Sequence, residues 1–167
     1  RRMLDISDFN YETILELKKA ILDTSIEPKN ISYPKIVIKA TLKDWDLKQE
    51  AVITDWMSNS DFTEATLTYT FAPIASFDTL EEITQQRLFL QEYEKEIGSE
   101  EFKKIPEREI LNLINFPISK YHYRIHGGNQ NESVANAYHL NQLKFELLDA
   151  LRDAKTELSA SRNNGLL

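Results

Sequence analysis

The chain has 167 residues, a length that suits one domain or one lobe of a larger domain, and its formal net charge of −7 lacks the basic signature of a dedicated DNA-binding domain. Hydrophobic residues make up 41% of the chain, with only four glycines and five prolines, which excludes a disordered or low-complexity chain. The chain has no cysteine, which excludes a disulfide scaffold, a cysteine zinc site and a thiol nucleophile and is typical of a cytoplasmic protein.

The N-terminal half predicts two helices and two strands. Short polar side chains in Ser7-Asp8-Phe9-Asn10 indicate the start of a helix that runs to about Leu22. β-Branched residues predict a strand at 36–42. Asp44 is expected to cap the second helix. At 65–71, large apolar residues alternate with threonines, which predicts a strand with one buried face in an antiparallel sheet.

The C-terminal half begins with a long helix between Asp78, which can cap its first turn, and Gly98, which ends it. Pro106 is expected to begin a shorter helix. The alternating residues 121–126 predict a third strand, and the two glycines that follow indicate a turn with positive φ.

A polar loop is predicted at 129–136, a last strand at 143–148 and a last helix at 150–161. The predicted fold is therefore α+β or mixed α/β, with an antiparallel-rich sheet of about four strands and about five helices. The chain is expected to be a single region, 1–167, in which about 78–117 is the best candidate for a helical insertion. No apolar run approaches the length of a membrane span, so no membrane is expected as a partner.

No complete catalytic signature is present in the sequence. There is no Gly-x-x-x-x-Gly-Lys-Ser/Thr phosphate loop, no His-Glu-x-x-His and no nucleophile elbow. His122 and His126 lie four residues apart on a predicted strand, about 13 Å from each other on one face, which is too far for one metal ion. Neither catalytic residues nor metal ligands are therefore predicted.

Several smaller patterns have ordinary structural interpretations. Gly127-Gly128-Asn129 can form an anion-binding nest, but a hairpin or loop entry is the more common use of such a run. Gln85-Gln86-Arg87 is expected on the solvated face of its helix. Trp45 and Trp56 are expected in the core or at an interface, because no basic residues interleave with them as a base-stacking platform would require.

Asp149, Arg152 and Asp153 are the candidate site residues. They follow the predicted strand at 143–148, and α/β folds bind ligands beyond the carboxyl ends of strands. Arg152 between two carboxylates can reach a phosphate or transmit nucleotide state to a neighbouring lobe. The alternative is structural, with Asp149 as a helix cap and Arg152 in a local salt bridge.

A family resemblance is centred on the end of the chain. It is carried by Leu148-Asp149-Ala150-Leu151-Arg152-Asp153-Ala154 and Asn164-Gly165-Leu166-Leu167, with further support from Tyr121-His122-Tyr123-Arg124-Ile125 before Gly127-Gly128, from Ser7-Asp8-Phe9 and from the strand at 65–71. This layout resembles the ATPase domain of RecF-like and overcoming-lysogenization-defect (OLD) family ATPases.

The resemblance implies that the chain is the middle part of an ABC-type (P-loop NTPase) ATPase head, between the phosphate loop and the signature motif. The full-length protein would then be an ATP-dependent endonuclease or DNA-repair-type ATPase in bacterial anti-phage defence. ATP and Mg²⁺ would be its cofactors, and DNA would be its substrate. The remainder of the ATPase domain and a second copy in a homodimer or higher oligomer would be the partners. Since both nucleotide motifs are missing, this chain alone is not expected to bind or hydrolyse ATP.

The alternative is a stand-alone α+β protein-interaction module with no chemistry of its own, which the composition supports equally well.

Overall fold

The computed structural model describes residues 4–129 and 134–143 of the chain. The chain divides into two compact units, residues 1–135 and residues 136–167. Among the described residues, the first unit holds three β-strands and five α-helices. The second unit shows one helix, α6 (Ala137–Gln142), in a segment for which the sequence predicts no element. The fold is mixed α+β, as predicted.

The three strands form one antiparallel sheet in the order β1 (Ile36–Leu42), β2 (Ala65–Pro73) and β3 (Tyr121–Gly127). The sequence prediction of these strands is confirmed. The fourth predicted strand, 143–148, lies outside the described residues except for its first position, and the last predicted helix, 150–161, lies wholly outside them.

The strand register divides the sheet into two faces, because residues that pair across an antiparallel ladder point to the same side. Phe71 lies opposite Ile36 on one neighbour and opposite Tyr123 on the other. These residues belong to the core face. The other side is called the open face and consists of Val37, Lys39 and Thr41 from β1, Thr66, Thr68, Thr70 and Ala72 from β2, and His122, Arg124 and His126 from β3.

Three helices pack against one end of the core face. They are α1 (Tyr11–Leu22), α3 (Thr79–Ile97) and α5 (Glu107–Leu113). The ring of Phe9 joins helices and sheet, since its centroid lies 5.2 Å from that of Phe116, 5.5 Å from that of Tyr121 and 6.1 Å from that of Phe71. The buried apolar cluster consists of Phe9, Ile14, Leu17, Ile21, Ile31, Phe71, Ile83, Leu90, Ile110, Leu111, Ile114, Phe116 and Tyr121. The segment 78–117 thus supplies part of this one core.

The ends of α3 follow the sequence prediction. Asp78 Oδ1 accepts hydrogen bonds from the N–H groups of Leu80 and Glu81, both at 3.0 Å. Gly98 follows the last helical residue with φ of 88°. A short helix, α4 (Ser99–Phe102), follows at once.

The predicted cap of α2 (Leu47–Ile53) is wrong by two residues. Asp46, and not Asp44, caps the helix: Asp46 Oδ1 accepts from the N–H of Gln49 at 2.9 Å, and Gln49 Oε1 accepts from the N–H of Asp46 at 2.9 Å. This reciprocal capping box satisfies two free N–H groups, which a cap at position 44 would not do. Asp44 instead adopts a left-handed turn with φ of 57°.

The sequence predicted that Arg87 lies on the solvated face of its helix, and for this residue the prediction is wrong. Its Nε donates to the carbonyl oxygen of Ile21 at 2.8 Å, and its Nη2 donates to those of Ala20 at 3.0 Å and Asp23 at 2.7 Å. These carbonyls lie at the carboxyl end of α1, where the helix leaves acceptors without intrahelical partners. Arg87 therefore fastens α3 to α1.

Trp56 covers the other end of the core face. It is 1% exposed and sits in a 3₁₀ turn, Thr54–Trp56, directly after α2. A Cβ atom on Gly127 would lie within 2.8 Å of Cγ and Nε1 of Trp56, so the indole needs a residue without a side chain at the end of β3. The sequence placed Trp56 in the core or at an interface, and the structure places it in the core.

Candidate functional site

The open face of the sheet presents basic and hydroxyl side chains to solvent. Lys39, His122 and Arg124 are exposed on the two outer strands, while Thr68 and Thr70 of the central strand are half-buried between them. Thr66, at one end, is buried at 3% exposure. None of the ten residues of this face is acidic, although the whole chain has a net charge of −7.

The register sets the positions of the cationic groups relative to one another. Thr68 has Lys39 on one side and His126 on the other, and Thr70 has Val37 on one side and Arg124 on the other. Neighbouring strands lie about 4.8 Å apart and alternate residues of one strand about 6.8 Å apart. The Cα atoms of Lys39 and Arg124 therefore lie about 12 Å apart diagonally across the threonines, and neither side chain forms an ion pair among residues 4–129 and 134–143.

The two histidines of β3 share the open face, as their spacing predicted. His122 pairs with Ala72 and His126 with Thr68. His126 Nδ1 is buried and has no hydrogen-bond partner in the described part of the chain. Within the same ranges, no group of three His, Asp or Glu side chains is placed to hold a metal ion.

The glycine turn after β3 is hydrogen-bonded to the central strand of the sheet. Gly128 has a φ of 74°, as the sequence predicted, and its N–H donates to the carbonyl oxygen of Thr66 at 2.9 Å. The side-chain amide of Asn129 donates to the carbonyl oxygen of Ser58. One backbone N–H of the turn and the Asn129 side chain are thus engaged by the fold, as expected for the ordinary loop interpretation.

Asp149, Arg152 and Asp153, the site residues that the sequence singled out, lie outside the described residues. Their proposed role in nucleotide coupling stays a prediction.

A cleft of about 370 Å³ lies between α1 and α5. It is lined in part by Tyr11, Lys18, Lys19, Glu107 and Arg108. Lys18 Nζ donates to the carbonyl oxygen of Leu111 at 3.0 Å, and burial lowers the pKa of its ammonium group. The charged groups of its lining are Lys18, Lys19 and Arg108 with Glu107, a formal excess of two positive charges, and the Lys18 amine is already hydrogen-bonded at the carboxyl end of α5.

Apolar side chains of β1 and its neighbours are exposed on both faces of the sheet. Ile38 on the core face is 57% exposed, Val37 on the open face is 50% exposed, and Tyr123 on the core face is 46% exposed. The ring of Tyr69 stacks on that of Tyr123 with centroids 5.6 Å apart. Among the described strands, β1 is an edge strand of the sheet. This combination of an open edge and exposed apolar groups is typical of a surface that another polypeptide covers.

No protein-family model, curated protein or solved structure matches the chain. In residues 4–129 and 134–143, none of the helices combines the length and apolarity that a membrane span needs.

No local sequence pattern marks the open face. Lys39 and Arg124 lie 85 positions apart, and each looks like an isolated solvent-facing residue of its own strand. The available signal was the alternation of the strands, which places Lys39, Thr68 and Arg124 opposite the apolar positions. The pairing register was also needed to bring them onto one surface.

Proposed function

We propose that this chain is a non-catalytic segment of a larger ATP-dependent endonuclease or DNA-repair-type ATPase of the OLD and RecF-like kind, acting in bacterial anti-phage defence. In the full-length protein, ATP and Mg²⁺ are the cofactors, DNA is the substrate, and a homodimer or higher oligomer is the active assembly. This segment contributes a sheet and its supporting helices to an ABC-type ATPase head.

The observation that carries the first part of the proposal is the exposure of β1. Within residues 4–129 and 134–143, no strand pairs with the outer edge of β1, and Val37 and Ile38 are at least half exposed. Such an apolar edge strand is a liability for an isolated domain, because it offers backbone groups and apolar surface to other chains. The rest of an ATPase head would cover it. The enzymatic identity rests on the resemblance centred on Leu148-Asp149-Ala150-Leu151-Arg152-Asp153-Ala154.

The alternative is a stand-alone α+β protein-interaction module, with the same exposed surface as its docking site. Phe89 on α3 favours it, since this ring is 50% exposed and stacks on Tyr93 with centroids 6.5 Å apart, far along the chain from β1. A partner protein would then cover surfaces that the first proposal assigns to the remainder of the same chain.

The reading frame that contains this chain, and the protein it encodes, test the proposal. We expect a Gly-x-x-x-x-Gly-Lys-Ser/Thr motif before these residues and ATP hydrolysis by the whole protein that disappears when the motif's lysine is changed to alanine. We expect Arg152→Ala to lower ATPase or nuclease output without unfolding the protein. A reading frame without nucleotide motifs, or turnover unaffected by the lysine change, overturns the ATPase proposal in favour of the interaction module.

A further inference from the structure

We propose that the cleft between α1 and α5 binds a small organic carboxylate whose remaining part is apolar. The proposal depends on two features of the cleft, an apolar base and an excess of positive charge, which the two helices bring together in one concave site. It goes beyond the proposed function, because it involves neither a nucleotide, nor nucleic acid, nor the remainder of a larger protein.

The spacing of side chains along two helices creates the cleft. On α1 the lining consists of positions 11, 14, 15, 18 and 19, which recur at the interval of three and four residues that places side chains on one side of a helix. On α5 the lining consists of positions 107, 108, 111 and 112, at the same interval. The volume of about 370 Å³ lies within the range of about 300–1,000 Å³ that small-molecule sites occupy. The cleft therefore has the size that a small ligand fills.

Buried apolar side chains form the base of the cleft. Ile14 and Leu111 are 8% and 5% exposed and belong to the main apolar cluster, against which the half-buried Leu15 also packs. Tyr11 is largely exposed and adds an aromatic ring to the lining. A ligand that covers these side chains removes apolar surface from water, which favours its binding.

Positive charge predominates among the charged groups of the lining. Lys18, Lys19 and Arg108 occur there with one acidic residue among those that the structure describes, Glu107. Lys19 and Arg108 are exposed, and neither forms an ion pair within residues 4–129 and 134–143. Lys18 Nζ uses one of its three donors on the carbonyl oxygen of Leu111. A carboxylate can therefore accept hydrogen bonds from a guanidinium and from ammonium groups without displacing an ion pair of these cations.

The partly buried amine of Lys18 further favours an anion. Burial lowers the pKa of its ammonium group, because desolvation disfavours the charged form. A carboxylate in the cleft would stabilise that charged form, since opposite charges attract more strongly where water is excluded. The ligand and Lys18 would thus stabilise the charges of each other.

Other small ligands match the cleft less well. A metal cation would meet the positive excess, and no group of three His, Asp or Glu side chains in the described part of the chain is placed to hold one. A free phosphate would contact the cations but leave the apolar base uncovered. A neutral apolar molecule would cover the base but leave the cations without a counter-charge. An apolar group joined to a carboxylate satisfies both parts of the lining.

The test follows the backbone amide signals of the isotope-labelled 167-residue chain by NMR as a ligand is added. Naphthoate is the probe, because it joins a carboxylate to an apolar ring system. Naphthamide keeps its shape without the charge, and acetate keeps the charge without the rings. Naphthoate is expected to shift signals of α1 and α5 with a dissociation constant of about 1 mM or lower, as for a ligand of its size. Naphthamide and acetate should each bind more weakly by about tenfold or more.

Three variants test the charges of the protein. Lys19→Gln with Arg108→Gln should weaken naphthoate binding by about tenfold and leave naphthamide binding unchanged. Glu107→Gln should strengthen naphthoate binding, because it removes the acidic group of the lining. The matched control, Lys39→Gln with Arg124→Gln, removes one lysine and one arginine from the open face of the sheet and should keep the parent affinity. Circular dichroism and thermal unfolding establish that each variant folds as the parent chain does.

Four outcomes overturn the inference. They are no response of α1 or α5 to naphthoate in the folded parent chain, equal affinity for naphthoate and naphthamide, an equal loss of affinity in the cleft variant and the control, and weaker naphthoate binding by Glu107→Gln. ATP binding at the same signals, as tight as that of naphthoate, also overturns it, since a nucleotide would then be the occupant. None of these measurements involves ATP hydrolysis, so their failure is distinct from a failure of the ATPase proposal.

Discussion

The guanidinium of Arg87 donates a hydrogen bond through Nε to the carbonyl oxygen of Ile21, at 2.8 Å, and so joins the middle of α3 to the carboxyl end of α1. Two more hydrogen bonds from Nη2 reach the carbonyls of Ala20 and Asp23. Ile21 itself is fully buried. A cation therefore completes the hydrogen bonding of a helix end at the point where that helix enters the core.

Replacing Arg87 should destabilise the fold strongly. Hydrogen bonds from a charged group contribute about 1.5–3 kcal/mol each and are not additive, so we expect Arg87→Ala to lower the free energy of unfolding by about 3 kcal/mol. Arg87→Lys should lower the free energy of unfolding by less, because lysine keeps the positive charge. It should still be less stable than the parent chain, because lysine lacks the planar guanidinium that donates to several carbonyls at once. Urea unfolding measures both, with Lys95→Ala on the exposed side of α3 as the control. A loss from Arg87→Ala no larger than that of the control would contradict this role.

Two glycines should respond to alanine for different reasons. Gly127→Ala forces a Cβ into the indole of Trp56, and overpacking of this kind costs about 1–3 kcal/mol. Gly98→Ala meets no atom within 4 Å, but its φ of 88° penalises any side chain by about 1–2 kcal/mol. Differential scanning calorimetry compares the two.

The two glycine effects can be separated by changing Trp56. Trp56→Leu removes the atoms that Gly127→Ala would meet, so the double variant should show a smaller alanine penalty than the single variant. The penalty of Gly98→Ala should be the same in either background. Strictly additive effects of Gly127→Ala and Trp56→Leu on stability would mean that contact with the Trp56 indole is not the reason why position 127 requires glycine.

Tyr33 and Tyr121 should behave oppositely when their hydroxyl groups are removed. Tyr121 donates to the carbonyl oxygen of Pro34 at 3.0 Å, so Tyr121→Phe should cost about 1 kcal/mol. The hydroxyl of Tyr33 is buried without a partner in the described residues, so Tyr33→Phe should be neutral or stabilising. Chemical denaturation of the two variants measures the difference, and an equal loss from both would contradict it.

The same two tyrosines should make the fold sensitive to alkali. Burial raises the pKa of the Tyr33 and Tyr121 phenols above their ordinary value of about 10. The folded state therefore holds protons that the unfolded state releases, so stability is fully present below about pH 10 and falls as the pH rises. Ultraviolet titration should show that two of the seven tyrosines ionise only with unfolding. A normal titration of all seven would exclude this effect.

The two aspartates before α2 should also differ. Asp46→Ala removes both hydrogen bonds of the cap to the first turn, at 2.8 and 2.9 Å, and should cost about 1 kcal/mol. Asp44→Gly relieves a positive φ of 57° and should leave stability unchanged or slightly higher. Thermal unfolding measures the stability of both variants. A larger loss of stability from Asp44→Gly than from Asp46→Ala would mean that Asp44 is the cap, as the sequence predicted.

The errors of sequence interpretation have a common origin. The prediction that Asp44 caps α2 came from residue type alone, and positions 44 and 46 are both aspartate. The hydrogen bond that Gln49 Oε1 accepts from the N–H of Asp46 distinguishes the two positions, and residue type does not show it. Arg87 was assigned to solvent because its helix position lies outside the apolar stripe. Its partner, Ile21, is 66 residues earlier in the chain, and no local pattern marks that contact.

The sequence by itself determined the elements whose signals are local. Alternation over 65–71 predicted β2, and Asp78 and Gly98 predicted both ends of α3, because side-chain period, capping and positive φ act within a few residues. Only the tertiary structure decided what those elements do together. It chose β2 as the neighbour of both β1 and β3, and this register, which depends on burial of the core face, placed Lys39 and Arg124 on one open surface.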